Sequence, residues 1–462
     1  MAKTASKINI WIGIGMGLIV SFYPFAQSGE GMSLEECLNY GLSNSPYMTF
    51  SKNEKEMFKY NKRDLYSSYL PSINGNFELT YNAKLPVTVM PAGDLGFDQL
   101  FPPGTGGDKA EDLEIRMGSP NTNSAAIQLE QKIYDHSAIV GFKGVKGLEE
   151  LSDLNAEKHI EDLMYRVSMA YYQVLVVEQQ MELLNENLSQ YTELLKIMDL
   201  RLEKGVITPI DYNRIKVAHN NISAQISLME ARAKDAKNNL KMNMGMPLDE
   251  EIKISAKDKI VIDSSLPIEP LNISERLDLK INNKNIELQE INLSVTKYSS
   301  LPTLTAFARY GANSYGETFR ESWKKFHDFS AVGLRLVVPI FNGLKTNTAY
   351  HKQVIQLENL RAQNEILTQG SMMELTNSRT KMVEAHTSYS VNQDNLNLAK
   401  EVYEQTNLSY QKGAASLSDF LNADYSYKEA QTNYLTSLVN MLSSRLDYEK
   451  SKGNLINYLK NK

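Results

Sequence analysis

Between Ile160 and Leu202 the apolar residues step by three and four without a break: Ile160, Leu163, Val167, Ala170, Val174, Val177, Met181, Leu184, Leu188, Tyr191, Leu195, Met198 and Leu202. A sustained 3.5-residue repeat keeps one seam of a helix against a partner and winds the pair into a left-handed supercoil. The segment from Tyr134 to Gly205 is 71 residues long, and as helix it spans about 105 Å. No ordinary globular domain accommodates such an element, so the chain is read as mainly α and elongated. Low Gly and Pro content, 25 and 14 residues of 462, agrees with long uninterrupted helices.

The pattern occurs twice. Tyr69-Leu70-Pro71-Ser72-Ile73 matches Ser300-Leu301-Pro302-Thr303-Leu304 at an offset of 231, and Lys204-Gly205 through Asp211 matches Lys412-Gly413 through Asp419 at an offset of 208. A second, weaker helical seam runs through Leu375, Met382, Ala385, Tyr389, Leu396, Ala399, Tyr403 and Tyr410. The drop in offset falls in one place, residues 83–124, which are rich in Gly, Pro and Asp and read as a long surface loop over 84–124. A two-fold internal duplication follows, with a first repeat over 27–250 and a second over 251–462. It is not a solenoid, which needs more units.

Ahead of each hairpin lie two stretches of period two. Ile73, Gly75, Phe77, Leu79 and Tyr81 alternate with Ser72, Asn74, Asn76, Glu78 and Thr80; Ala125, Ile127, Leu129 and Ile133 alternate with Gln128, Glu130 and Lys132. The second repeat keeps the parity with Leu304, Ala306, Ala308 and Tyr310, then Val332, Leu334, Leu336, Val338 and Ile340. Strands are expected over 70–83, 125–135, 301–313 and 330–341, each with one apolar face. Each is about the length a tilted strand needs to cross a bilayer. A sheet packed on a soluble core is the competing explanation.

The formal charge of −6 argues against nucleic acid as a partner. One cysteine excludes an intramolecular disulfide and any multi-Cys zinc site, and Cys37 is read as a lone buried thiol. The six histidines, 136, 159, 219, 327, 351 and 386, show no metal-ligand spacing, and no hydrolase, nucleotide-binding or metalloprotease motif is present. No catalytic residue, cofactor or metal is assigned, and the chain is not read as an enzyme. Lys3 and Lys7 followed by an apolar run from Ile8 to Phe25 read as a signal peptide over 1–26, with an uncleaved anchor as the alternative. Export makes a cytoplasmic rod a poor fit, although an exported structural coiled-coil protein remains open.

The two helix turns share one chemistry. Gly205 and Gly413 end the outgoing helices, Thr208 and Ser416 are placed to N-cap the returning ones, and Asp211 and Asp419 stand where a capping box takes an acid. Hairpins are expected over 137–245 and 343–450. With the duplicated strand–strand–hairpin plan, the Leu-Pro strand starts and the Lys-Gly-x-x-[Thr/Ser]-x-x-Asp tips, the chain resembles the TolC-type outer-membrane efflux family over its whole mature length. Four strands cannot close in lipid without open edges, two chains give a filled barrel, and three or four leave a lumen. The choice of a homotrimer comes from the resemblance.

The resemblance implies a transmembrane β-barrel of twelve strands in the outer membrane, continued through the periplasm by an α-helical barrel. It also implies equatorial parts at 33–44, 246–274 and 451–462. The implied function is an exit duct of a tripartite efflux or type I secretion system, working with a periplasmic adaptor and an inner-membrane pump of RND or ABC type. Ile73, Phe77, Leu79, Ile127, Leu129, Leu334, Leu336 and Val338 would then face outer-membrane lipid. Lys204, Gly205, Val206, Lys412, Gly413 and Ser416 would dock the adaptor. Residue by residue, Tyr410 matches a tyrosine that bonds an aspartate of the first tip, here Asp211, and Asp419 matches an acidic lumenal ring. Ala415 stands where some members carry an arginine, and Asn422 replaces a second acid. Helix capping is the competing role for both Asp211 and Asp419.

Overall fold

The computed structural model describes residues 31–90, 113–255 and 270–460. The signal segment, the centre of the 84–124 loop and part of the 246–274 segment lie outside the described residues.

The first repeat opens with α1 (Leu34–Asn44), started by a capping box in which the Ser33 hydroxyl accepts from the Glu36 amide and the Glu36 carboxylate accepts from the Ser33 amide. Helix α2 (Tyr47–Ser67) leads into β1 (Ser72–Tyr81). A short ribbon, β2 (Val87–Met90) with β3 (Leu113–Arg116), precedes β4 (Asn121–Tyr134). Then come α3 (His136–Glu203) and α4 (Pro209–Met244). The second repeat has α5 (Leu277–Tyr298), β5 (Thr303–Gly316), β6 (Phe326–Val337), α6 (Lys345–Gln411), α7 (Leu417–Lys452) and the short α8 (Leu455–Lys460).

Four strands form one antiparallel sheet in the order β1-β4-β5-β6, with β1 and β6 at its edges. The expected 84–124 loop is therefore shorter and partly ordered as the β2–β3 ribbon, because β4 starts at Asn121. Asn121, Thr122 and Asn123 carry no apolar alternation, which hid the start of the strand. Likewise β6 begins at Phe326 rather than 330, since Asp328 and Ser330 occupy the apolar parity. It ends at Val337, because Pro339 has no N–H for a ladder. Val338 and Ile340 lie beyond the strand. Helices α2 and α5 carried no clear period and were not expected as elements.

Helix α3 is 68 residues and α6 is 67. At each far end a glycine, Gly205 (φ 71°) or Gly413 (φ 76°), takes the left-handed conformation that turns the chain. The junctions with the sheet differ between repeats. Asp135 caps α3, and the Tyr69 hydroxyl clamps its backbone, donating to the carbonyl at 2.9 Å and accepting from the amide at 3.0 Å. In the second repeat Gly343 (φ 64°) and Leu344 (φ 66°) are both left-handed, and α6 starts without a side-chain cap.

The largest core lies midway along the hairpins. From Leu163 to Val176 α3 is buried on nearly every side, by α1, the end of α4, α7, α8 and the segment Met246–Ile254. Cys37 is buried there, and Met32 bridges to Ile254. Burying an aliphatic side chain of this kind contributes about 1.5–3 kcal/mol, which makes this belt the anchor of the rod.

Candidate functional site

Two regions carry the candidate function, the sheet and the hairpin tips. In the sheet the register aligns the apolar parity of all four strands. Ile73 pairs with Leu129, Leu129 with Ala308 and Ala308 with Val332; Gly75 pairs with Ile127, and Ile127 with Tyr310. Leu304 opposite Leu336 and Ala306 opposite Leu334 extend the face. Large apolar side chains stand bare on it, among them Ile73, Phe77, Leu79, Ile127, Leu334, Leu336 and, at 87% exposure, Val332. Leu129 is half-buried. A bulge between Lys132 and Tyr134 takes Ile133 out of the parity and pairs Tyr134 with Leu304. Val338 is exposed but belongs to no strand, so it is removed from the strand face.

At the end of the sheet far from the helices, Trp323 packs against Phe77, Phe319 and Phe326 with ring centroids 6.1–6.2 Å apart. Beneath it Asn123 donates to the Ser322 carbonyl (2.8 Å), and Ser314 donates to the same oxygen. The opposite face of the sheet is polar. Arg335 pairs with Glu130 at 3.5 Å and lies over Phe307, while Arg309 lies over Phe329. Among the described residues no helix is long and apolar enough to cross a membrane.

At the tips the hairpins are joined through α3 and α7, giving the order α4-α3-α7-α6 with α4 and α6 outermost. Lys204, Gly205, Val206, Lys412, Gly413 and Ser416 are all exposed. The expected Tyr410–Asp211 bond is not formed. The Tyr410 hydroxyl instead donates to the Met198 sulfur at 3.7 Å, its ring stacks on Phe420 with centroids 5.3 Å apart, and the Arg201 guanidinium covers it at 6.0 Å. Asp211 is held by Thr208, whose hydroxyl donates to the carboxylate at 2.8 Å. Burial raises the Tyr410 hydroxyl pKa, Arg201 draws it down, and the nearby Asp211 raises it again.

Asp419 closes a full capping box with Ser416, accepting from its amide (3.1 Å) and hydroxyl (2.6 Å), and these bonds lower the carboxyl's pKa. Both acids thus serve the helix starts in this chain, and Asn422 is exposed one turn on. The sequence showed their position but not their partners, because a capping acid and a lumenal acid occupy the same register.

Deeper in the bundle lies a cluster that sequence reasoning missed. Tyr191 of α3 donates to the Asp424 carboxylate of α7 at 2.5 Å, Lys428 pairs with the same oxygen at 2.7 Å, and its ammonium sits 4.0 Å from the centroid of the Tyr191 ring. Asp424 is only 4% exposed. Burial pushes the Lys428 ammonium down in pKa, opposed by Asp424; burial and then Asp424 push Tyr191 strongly up. Asn187 reaches Gln431 at 3.4 Å one turn further. The i, i+4 spacing of Asp424 and Lys428 was the available signal, but it reads equally as a surface pair.

A profile of the outer membrane efflux protein family matches residues 68–246, which hold the whole first strand pair and hairpin. Outer membrane protein TolC of Vibrio cholerae is 23% identical over 348 residues, covering 72% of this chain and 77% of that protein. Alkaline protease secretion protein AprF of Pseudomonas aeruginosa is 24% identical over 269 residues, 55% of this chain and 52% of its own length. Among solved structures, CusC, described for its folding and transmembrane channel formation, superposes with a TM-score of 0.71 at 12% identity, over 91% of this chain and 92% of that one. The first strand pair and hairpin thus match the outer membrane efflux protein family, and the chain as a whole shares the fold of CusC.

Proposed function

We propose that three copies of this chain close into an outer-membrane exit duct, passive and without a catalytic step, that continues through the periplasm and is gated at its hairpin tips. One observation carries the reading: the sheet and the helical layer each end in two unsatisfied edges. Among the described residues the outer edges of β1 and β6 have no partner strand, and an open edge is not tolerated in lipid. In the helical layer the outermost α6 carries Ile355, Ile366, Met373, Val391, Leu398 and Val402, all exposed and within about 20° of one line at 3.6 residues per turn. The other outermost helix, α4, exposes Ile210, Val217 and Leu228 along its length. Head-to-tail closure pairs β6 with β1 and α6 with α4 of the next copy, so one operation satisfies all four edges.

In that ring the apolar strand face meets lipid, Trp323 and its neighbours form an aromatic girdle, and the polar face with Arg309 and Arg335 lines the lumen. The tips face a periplasmic adaptor through Lys204, Gly205, Val206, Lys412, Gly413 and Ser416, and an inner-membrane pump of RND or ABC type supplies the drive. AprF is named for protease secretion, so type I secretion stands beside drug efflux as the task. For the gate, the contacts of Tyr410 with Met198 and Arg201 of α3 and the buried Tyr191–Asp424–Lys428 cluster hold the second hairpin against the first. Asp211, Asp419 and Asn422 shape the entrance.

Planar-bilayer recording of the purified assembly tests the duct. Low, steady single-channel conductance is expected, rising in Asp424→Asn; absence of any conductance in parent and variant alike contradicts it. Ile127→Arg, near the middle of the apolar face, is expected to cost about 2–4 kcal/mol and to block outer-membrane assembly, whereas Gln128→Arg on the polar face is tolerated. Equal damage from both would reverse the assignment of the two faces.

A further inference from the structure

The four helices that meet the sheet do so through a layer of unusual charge. The last eight residues of α2 and α5 and the first eight of α3 and α6 form a band about 12 Å deep. This band holds Lys62, Arg63, Lys143, Lys297, Lys345 and Lys352 against one acid, Asp64. The chain as a whole is acidic, with 49 basic against 55 acidic residues. Several cations farther from the sheet are paired with carboxylates: Lys158 with Glu161 and Asp162, Lys237 with Glu178, Lys284 with Glu150 and Glu287, Arg276 with Asp278 and Glu374. None of the six in the band forms an ion pair with a carboxylate of the described residues, and all but Lys62 are exposed.

Aromatic rings accompany them. Arg63 lies over Tyr60 at 5.7 Å and Lys62 over Phe58 at 6.0 Å. Tyr66 and Tyr69 pack on Phe142, and Tyr298 on His136. Unpaired cations with amphipathic rings, next to an apolar sheet face, have the composition of a membrane-interface layer. The band is also the depth at which headgroups begin if the apolar face spans the hydrocarbon core.

We propose that this collar binds the phosphates of anionic phospholipids in the leaflet on the helix side, anchoring the duct at a fixed depth. The inference rests on the sheet spanning the membrane. Charge complementarity supports the choice of occupant: a repeated net positive band on an acidic protein gains most against a negatively charged surface.

The test compares the purified full-length assembly in vesicles of phosphatidylcholine alone and of phosphatidylcholine with phosphatidylglycerol, using spin-labelled lipids to read relative association. The parent is expected to favour phosphatidylglycerol, and the preference is expected to vanish at high salt. The variant Lys62→Gln, Arg63→Gln, Lys143→Gln, Lys297→Gln is expected to lower the preference at least about tenfold. A charge-matched variant at the tips, Lys196→Gln, Lys204→Gln, Lys216→Gln, Lys412→Gln, is expected to keep it. Retention of the preference in the collar variant overturns the proposal. So does a collar variant that alters the ion selectivity of the channel while lipid preference stays the same, because the cations then line the lumen. Failure of the parent to insert into either vesicle would overturn the membrane-spanning reading itself, and the collar with it.

Discussion

The belt midway along the hairpins and the tips are built from the same two long hairpins, yet they pack differently. The belt is mainly aliphatic: Leu240, Met244, Leu438, Leu442 and Leu446 close around Val167 and Val174, Tyr171, Tyr172 and Tyr389 are the buried aromatics among them, and α1 and α8 wrap the outside. At the tips few side chains are buried, and those that are include Tyr191, Tyr403 and Phe420, with Asp424, Asn187 and Gln431 between them. Tyr403 stacks on Tyr427 at 5.3 Å and donates to Gln190 at 3.2 Å. An aliphatic core resists rearrangement because every displaced methylene costs packing. A core of aromatic stacks and directed hydrogen bonds has discrete partners to exchange. The difference places rigidity at the belt and a capacity to switch at the tips.

Asp424→Ala gives the sharpest contrast. It leaves the Lys428 ammonium buried without its partner and is expected to cost about 3–5 kcal/mol, confined to the tips. Hydrogen exchange is expected to accelerate over 187–215 and 403–428 and to stay slow over 163–176. Acceleration at both would erase the distinction. Leu446→Ala, fully buried in the belt, is expected to cost about 2–5 kcal/mol and to lower the melting temperature of the entire rod. A purely local effect would show that the belt is not the anchor.

Tyr191→Phe removes one hydrogen bond to a charged acceptor but keeps the Asp424–Lys428 pair. Its expected cost, about 1.5–3 kcal/mol, is read as faster exchange at the tips alone. Smallest is Ser416→Ala, which opens the capping box with Asp419 and is expected to cost about 1 kcal/mol, seen as fraying of the first turn of α7. A rise in channel conductance from Ser416→Ala as large as that from Asp424→Asn would move the gate from the buried cluster to the cap.

The strong periods were legible in the sequence. The seam from Ile160 to Leu202 marked α3, Gly205 and Gly413 marked the turns, and alternation marked the four strands and the apolar face. What was not legible depended on contacts between distant segments. Helices α2 and α5 are recognisable only from the neighbours they cover. The ends of β4 and β6 are set by pairing, since Asn121–Asn123 and Asp328 look nothing like strand residues facing lipid. The Tyr410–Asp211 bond, expected from resemblance, gave way to Met198, Phe420 and Arg201 because these lie beside Tyr410 while Thr208 already holds Asp211. The Tyr191–Asp424 contact joins residues 233 apart in the chain, a distance over which no local pattern speaks.

The central claim is that the unsatisfied edges of sheet and bundle close head-to-tail around a lumen. The number of copies in the assembly extracted from the outer membrane decides it, counted as a cross-linking ladder on lysines followed by mass measurement. A ladder that ends at three copies, in the outer-membrane fraction, is the predicted result. A ladder that ends at one or two copies contradicts the account, because four or eight strands leave an open edge or a barrel filled by its own side chains.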